Sequence, residues 1–385
     1  MSRRPAVITG AADTAVGDLP GSSCMGLHAE AASLALADAG LRPGDIDGVL
    51  CAYSFTEPHL MLASVFCEYF GIQPAYSTAI QAGGATGCIM VMQAAALIEA
   101  GTCRHVLVVA GDNRLSGLTR DRAVAALADV GHPQFERPFG VTIPALYALV
   151  ARAYMERYGA TPEHLAAMAV ASRTHAVRNP KAQMRAPITV ADVLASRPIA
   201  EPLRLLDCCL ISDGGAALVI SAPDAARDTA RRPVPVLGTG QKNTHEHLLA
   251  APSLTEFGCR DSAAQAFGRA GVTPADIDVA EIYDSFTVTL LVELESIGFF
   301  EKGEAGPAAL AGALDLGGRL PCNTHGGLMS YAHSGAAGGL FHVVEAVRQL
   351  RGEAAARQVR DAELAFVHGD GGILSAHCSL VLGRA

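Results

Sequence analysis

The 385-residue chain carries 29 Lys and Arg against 38 Asp and Glu, a net charge of −9. It has no block of Lys or Arg, so a nucleic-acid partner is not expected. Half of its residues are hydrophobic and only 17% are charged, the make-up of a well-buried globular chain rather than a disordered one.

The chain opens MSRRPAVITG and goes directly into a strand. It shows no signal peptide and no run of 18 apolar residues, so a cytoplasmic protein without membrane insertion is expected. AVITGAA reads as a strand, 28–39 as an Ala-rich helix stopped by Gly40 with Pro43 beyond it, and IDGVLCAYS as a buried strand. A helix over 60–70, a strand in AYSTAIQAG, a long small-residue helix over 85–100 and a strand in HVLVVAGD follow. This βαβαβ order predicts a mostly parallel sheet covered by helices. The ten Cys residues form no CxxC pair and lie in apolar segments, such as Cys51, Cys67 and Cys103. Reduced core thiols are expected, with no disulfide and no metal.

The same unit then recurs. GLRPGDIDGVLCAYSF (40–55) aligns with GVTPADIDVAEIYDSF (271–286), matching Gly40 to Gly271, Asp45-Ile46-Asp47 to Asp276-Ile277-Asp278, and Phe55 to Phe286. GGATGCIMVMQAAALIEAG (83–101) aligns with SGAAGGLFHVVEAVRQLRG (334–352), and VLVVAGD (106–112) with LAFVHGD (364–370). A period of half the chain is too long for a solenoid and marks a duplicated domain, with halves at 1–232 and 233–385. Residues 113–207 have no counterpart, and contain helical stretches at 144–158 and 162–175 and Arg-rich stretches at 114–122 and 185–204. They read as an excursion folded over the first half, capping the strand ends where active sites of such folds lie. In this alignment Tyr283 replaces Ala52 and His368 replaces Ala110, so the second half carries the chemistry.

AGGATGC (82–88) and AHSGAAGG (332–339) place small residues before long helices. Exposed N–H groups and the helix dipole there favour a developing enolate or thioester oxyanion, or simply tight helix packing. Neither segment fits GxGxxG or the P-loop, which disfavours dinucleotide and ATP. EIYDSF, GGLMSYAHSG and VHGDGG set Tyr283, Asp284, Ser330, Tyr331, His333, His368 and Asp370 at strand ends or in a glycine-flanked loop. Tyr with His makes an acid–base set.

These segments in this order, with SRPIAEPLRLLDCCLISDGGAALV and NTHGGLMSYAHSGAAGG, resemble the thiolase superfamily over essentially the whole chain. The likeness is to the branch of sterol-carrier-protein thiolases and thiolase-like lipid-transfer proteins. It implies an α/β, duplicated thiolase-like fold of five αβαβα layers, a homodimer, and acyl-CoA substrates altered at the Cα–Cβ bond. Coenzyme A would be part of the substrate, with no covalently bound cofactor. The departures are informative. Where the family has a nucleophilic Cys in a segment resembling NNCATG, this chain has Gly84. Tyr283 stands for the His or Asn of HDCF or NEAF, His333 is kept from the GHP segment, and His368 stands for the second Cys of CxGGG.

With Gly84 in place a covalent acyl-enzyme cannot form there. Retro-aldol cleavage needs no nucleophile. It needs a base for a β-hydroxyl, met by Tyr283 or Tyr331, and enolate stabilisation, met by backbone near Gly84 and Gly371 with His333. Relatives with this chemistry work with a small partner carrying an OB-fold and a zinc ribbon, which would have to be a separate chain here. The alternatives are an acyltransferase using Cys88, one helical turn further on, and a non-catalytic acyl-CoA or lipid binder.

Overall fold

The computed structural model describes residues 5–119, 122, 130–228 and 230–385. Arg120 of the first Arg-rich stretch lies outside them. The strands are β1 (Val7–Asp13), β2 (Gly48–Ala52), β3 (Tyr76–Ile80), β4 (His105–Asn113), β5 (Pro198–Ala200), β6 (Leu203–Arg204), β7 (Asp213–Ser221), β8 (Val234–Asn243), β9 (Val279–Ile282), β10 (Leu364–Gly371) and β11 (Ala376–Gly383). Nine of them join in the order β3-β2-β4-β7-β1-β8-β11-β10-β9. The order is nearly a palindrome about β1–β8, which pairs β1 with β8, β7 with β11, β4 with β10 and β2 with β9. The counterpart of β3 shrinks to a parallel bridge between Cys322 and Ala280.

Helices complete the duplication. Cys24–Ala39 covers β1, β7 and β4 on one outer face, as Cys259–Ala270 covers β8 and β11 on the other. Thr86–Glu99 and Ala337–Arg351 pack on each other and touch strands of both halves, so they form the middle layer. Helix, sheet, helix pair, sheet, helix is the expected five-layer αβαβα arrangement. Small residues permit it: a Cβ on Gly87 would lie 2.8 Å from the Gly339 carbonyl carbon. The internal repeat is also chemical. Asp47 accepts the backbone N–H groups of Arg104 and His105, and Asp278 accepts those of Glu363 and Leu364.

The structure corrects three expectations. The sheet is mixed, because only β2–β3, β2–β4 and β9–β10 are parallel. β10 turns back into β11 after four residues, and so short a link can only join antiparallel neighbours. The excursion covers the second half rather than the first. Its helices Ile143–Tyr158 and Pro162–Ala176 bury Leu146, Val150, Leu165 and Met168 in one cluster with Leu290, Leu291 and Leu294. Thr287–Ile297 is buried at every position, so it must be covered on all sides, and the excursion supplies the missing face.

The third concerns register. Gly48 pairs with Val106 and Val279 with Ala365, so the counterpart of His368 is Val109, not Ala110. A slip of one residue moves a side chain to the other sheet face. Val109 lies in the outer core cluster and Ala110 in the central one. His368 accordingly faces outward, while Gly369 faces Ala85 and Cys88 in the middle layer.

Candidate active site

Gly84, before the Thr86–Glu99 helix, meets Tyr283, just past β9. A Cβ on Gly84 would lie 2.1 Å from Tyr283 Cζ, 2.3 Å from its hydroxyl oxygen and 2.3 Å from the Asp370 carbonyl oxygen. The tyrosine therefore fills the space into which any side chain at position 84 would grow. Gly371 makes a similar close approach: its Cβ would lie 2.1 Å from the Ala82 carbonyl oxygen.

The Tyr283 hydroxyl lies 3.0 Å from His333 Nε2, and His333 Nδ1 lies 3.2 Å from Cys209 Sγ. A further hydrogen bond to the Leu210 backbone favours a proton on the ring. In the neutral tautomer that carries its proton on Nδ1, Nε2 presents its lone pair to the tyrosine O–H. Burial, then the charge of Arg114, push the imidazole down to about 3, so His333 is neutral at pH 7. Burial holds the Tyr283 phenol well above its ordinary range. Arg114 is itself buried, with its guanidinium carbon 4.7 Å from the centre of the Phe55 ring.

His333 is positioned by Asp284. The expected loop before it is a π-helical turn, Gly327–Tyr331. Asp284 Oδ1 accepts the Leu328 N–H at 2.7 Å, and a Cβ on Gly327 would lie 2.1 Å from Asp284 Oδ2. Burial pushes the Asp284 carboxyl up to about 7. Ser212 and His333 exchange hydrogen bonds, Ser212 N–H to His333 O at 3.1 Å and His333 N–H to Ser212 Oγ at 3.0 Å.

Of the sequence-predicted residues, Tyr283, His333 and Gly84 come together, and Gly371 lies behind them. Tyr331 does not join them. Its buried hydroxyl donates to Asp13 Oδ2 at 2.7 Å, and Asp13 is gripped by Arg348 and Lys181, so Tyr331 ties β1 to the second half. His368 is also elsewhere, against Ser379, His377 and Glu293 on the outer face of β10. Cys209 and Arg114 were missed as individual site residues, since each enters from a segment with no repeat partner or catalytic spacing.

The model of the thiolase N-terminal domain matches residues 6–224, and that of the thiolase C-terminal domain-like family matches 240–384. The chain belongs to the thiolase family. It is 34% identical to an acetyl-CoA acetyltransferase of Methanothermobacter thermautotrophicus, covering 97% of this chain and 99% of the relative. It is 36% identical to a steroid side-chain-cleaving aldolase of Thermomonospora curvata, covering 90% of each. Among solved structures, the Ltp2-ChsH2(DUF35) aldolase superposes with a TM-score of 0.88 at 34% identity, covering 100% of this chain and 99% of that one.

In this thiolase-family chain Cys88 is fully buried, and burial, then Glu293, push its thiol far above the usual range. It is set as a core residue, whereas a reactive thiolate needs an electropositive, accessible setting. Cys88→Ala is expected to keep most activity and to cost about 1–2 kcal/mol of stability. A folded variant without turnover, or an acyl group trapped on Cys88, would contradict this.

Two of its buried histidines also predict acid lability. Burial lowers His333 to about 3 and His342 to about 4. Below about 6.5 the unfolded chain binds protons that these rings refuse, so stability falls as pH drops from about 6.5 toward 4. At pH 5.5 the two together should remove about 2.5 kcal/mol relative to pH 7. Urea unfolding at the two pH values checks it, and an unchanged midpoint would count against it.

Proposed function

We propose that the chain cleaves the Cα–Cβ bond of a β-hydroxyacyl-CoA by retro-aldol chemistry. The supporting observation is the Tyr283 ring in the space where a nucleophile at Gly84 would stand. As the β-hydroxyl proton passes to Tyr283 Oη, the tyrosine proton passes to His333 Nε2. The Cβ–O bond becomes a carbonyl, and the Cα–Cβ electron pair leaves as the acyl-CoA enolate. The proton then returns to Cα, releasing the shortened acyl-CoA. Arg114 and the starts of the Thr86–Glu99 and Ala337–Arg351 helices offset the enolate's charge.

The acyltransferase alternative needs a thiolate. Besides Cys88, the thiol nearest the imidazole is Cys209, which burial pushes up to about 12 despite Arg114. A non-catalytic lipid binder leaves the Tyr283–His333 pair without work. Incubation with a β-hydroxyacyl-CoA should yield a carbonyl product and a shorter acyl-CoA in equal amounts, without consuming free CoA. Cleavage of a β-ketoacyl-CoA that requires free CoA, with no action on the hydroxy compound, would transfer the reading to the acyltransferase. CoA binding with neither reaction would favour the lipid binder.

On this reading CoA runs beneath the excursion, with its pantetheine reaching Gly84 and His333. Exposed Arg185 and Arg197 are candidate phosphate partners. CoA should then raise the melting temperature. The unpaired edge of β3 supports a homodimer, which light scattering tests. The similar Ltp2-ChsH2(DUF35) aldolase, named for two components, supports a separate partner subunit. No described helix is long and apolar enough to cross a membrane, in keeping with a cytoplasmic setting.

A further inference from the structure

Behind the catalytic strand end lies a second polar cluster that the proposed reaction does not use. Glu293, His368 and His377 are fully buried and bring their ligand atoms within 4.8 Å of one another. Asp370 lies beside the group, with Oδ1 3.8 Å from His377 Nδ1.

One arrangement of protons satisfies the outward hydrogen bonds of both rings. Ser262 Oγ lies 3.0 Å from the Cys259 carbonyl, which can only accept, so the Ser262 proton points there. Ser262 Oγ must then accept from Ser379 Oγ, 3.0 Å away. Ser379 has spent its proton, so it accepts from His368 Nδ1 at 2.9 Å. His377 Nε2 likewise donates to the Leu374 carbonyl at 2.9 Å. Each neutral ring has therefore committed its N–H outward. Both remaining lone pairs, on His368 Nε2 and His377 Nδ1, face each other at 3.2 Å.

Two lone pairs at that distance repel unless a cation lies between them. The carboxylates make the same demand. Neither oxygen of Glu293 and not Oδ1 of Asp370 receives a hydrogen bond, although all are buried. Asp370 Oδ2 is held by the Tyr147 hydroxyl at 3.0 Å.

We infer that Glu293 Oε1, His368 Nε2 and His377 Nδ1 form a three-ligand site for a divalent cation of the zinc class, with Asp370 beside it. Ligands about 2.0–2.1 Å from a tetrahedral Zn²⁺ stand about 3.3–3.4 Å apart. The three ligand separations are 3.2 Å between the two nitrogens and 3.4 and 3.9 Å from Glu293 to His368 and His377. The carboxylates of Glu293 and the neighbouring Asp370 together offset a double positive charge. The outward N–H bonds to a hydroxyl and a carbonyl are the partners that orient metal-bound histidines. The other such grouping, Glu281 with His325 and His342, also holds buried atoms without hydrogen-bond partners, but its carboxylate is better supplied. Glu281 Oε1 accepts from Thr324 N and Oγ1, and Oε2 pairs with His325 at 2.9 Å, where a proton suffices.

The cation would brace β10 and β11 against the Thr287–Ile297 helix. The His368 carbonyl accepts the Tyr283 N–H at 3.0 Å, so the ion stabilises the strand end that presents Tyr283. Its role is structural, and its ligands share no metal-binding spacing along the chain, because they come from a helix and two strands.

The test uses the full chain without a polyhistidine tag, purified alone and dialysed against Zn²⁺. Elemental analysis should find about one Zn²⁺ per chain, and Co²⁺ exchanged into it should show the intense visible absorption of a tetrahedral ion. Removal by a strong chelator should lower the melting temperature by about 5 °C or more. His377→Ala should lose the metal and His342→Asn should keep it. A metal-free chain whose melting temperature ignores both Zn²⁺ and chelator overturns the inference, as does a His377→Ala protein that retains its metal. Should His377→Ala fail to fold, the wild-type metal content and chelator response decide alone.

Discussion

Tyr283→Phe should lower turnover of a β-hydroxyacyl-CoA by about 10²–10⁴-fold with the fold intact, and His333→Ala should do the same. The tyrosine change is the cleaner of the two. Phenylalanine keeps the ring that fills the space beside Gly84, so packing is preserved and only the hydroxyl 3.0 Å from His333 Nε2 is lost. A group that only relays the proton stabilises the transition state and not the bound substrate, so kcat should fall while KM changes little. His333→Ala removes the acceptor and also frees Cys209 and Leu210, so a drop in stability is expected beside the drop in rate. His333→Gln, which can still accept from the tyrosine, should fold better but remain slow, because its amide cannot take up the proton. Near-wild-type rates in Tyr283→Phe and His333→Ala, on a substrate that the native chain cleaves, would place the chemistry elsewhere.

The duplication was legible because its marks are local. Gly40 and Gly271 end matching helices in the left-handed conformation, and Asp47 and Asp278 clamp matching strands. Gly84, Tyr283 and His333 were legible because the family pattern singles out their positions. What failed depended on relations between distant segments. The side covered by the excursion is set by the Thr287–Ile297 helix, whose all-round burial is a tertiary demand. His368 was misplaced by one residue of register, invisible in a gapless alignment of short strands yet enough to turn the side chain to the opposite face. Tyr331 sits close to His333 in sequence, but the π-helical turn aims it at Asp13. Cys209 reaches the imidazole from a segment that shared in the family likeness but carried no catalytic spacing to single the residue out.

Gly84→Ala should damage both the stability and the chemistry of this chain with a single methyl group. Its Cβ would stand 2.1 Å from Tyr283 Cζ, and contacts under about 3 Å force something to move. The tyrosine ring is the side that can yield, because the other obstacle, the Asp370 carbonyl at 2.3 Å, belongs to β10. A displaced ring carries its hydroxyl away from His333, so activity should fall with Tyr283→Phe, and overpacking should cost about 3 kcal/mol in addition. Gly84→Cys, which restores the residue type that relatives use as nucleophile, should fare no better and should not gain CoA-dependent cleavage, since the thiol would have no room beside the ring. The coupling can be measured. Gly84→Ala combined with Tyr283→Ala should recover a good part of the lost stability without any activity, because two residues that compete for one space are not independent. A Gly84→Ala protein that unfolds at the wild-type urea concentration and turns over at the wild-type rate would show that the ring does not hold that space in solution. The choice of tyrosine at 283 and glycine at 84 would then have to be explained separately rather than as one exchange of a nucleophile for an acid–base hydroxyl.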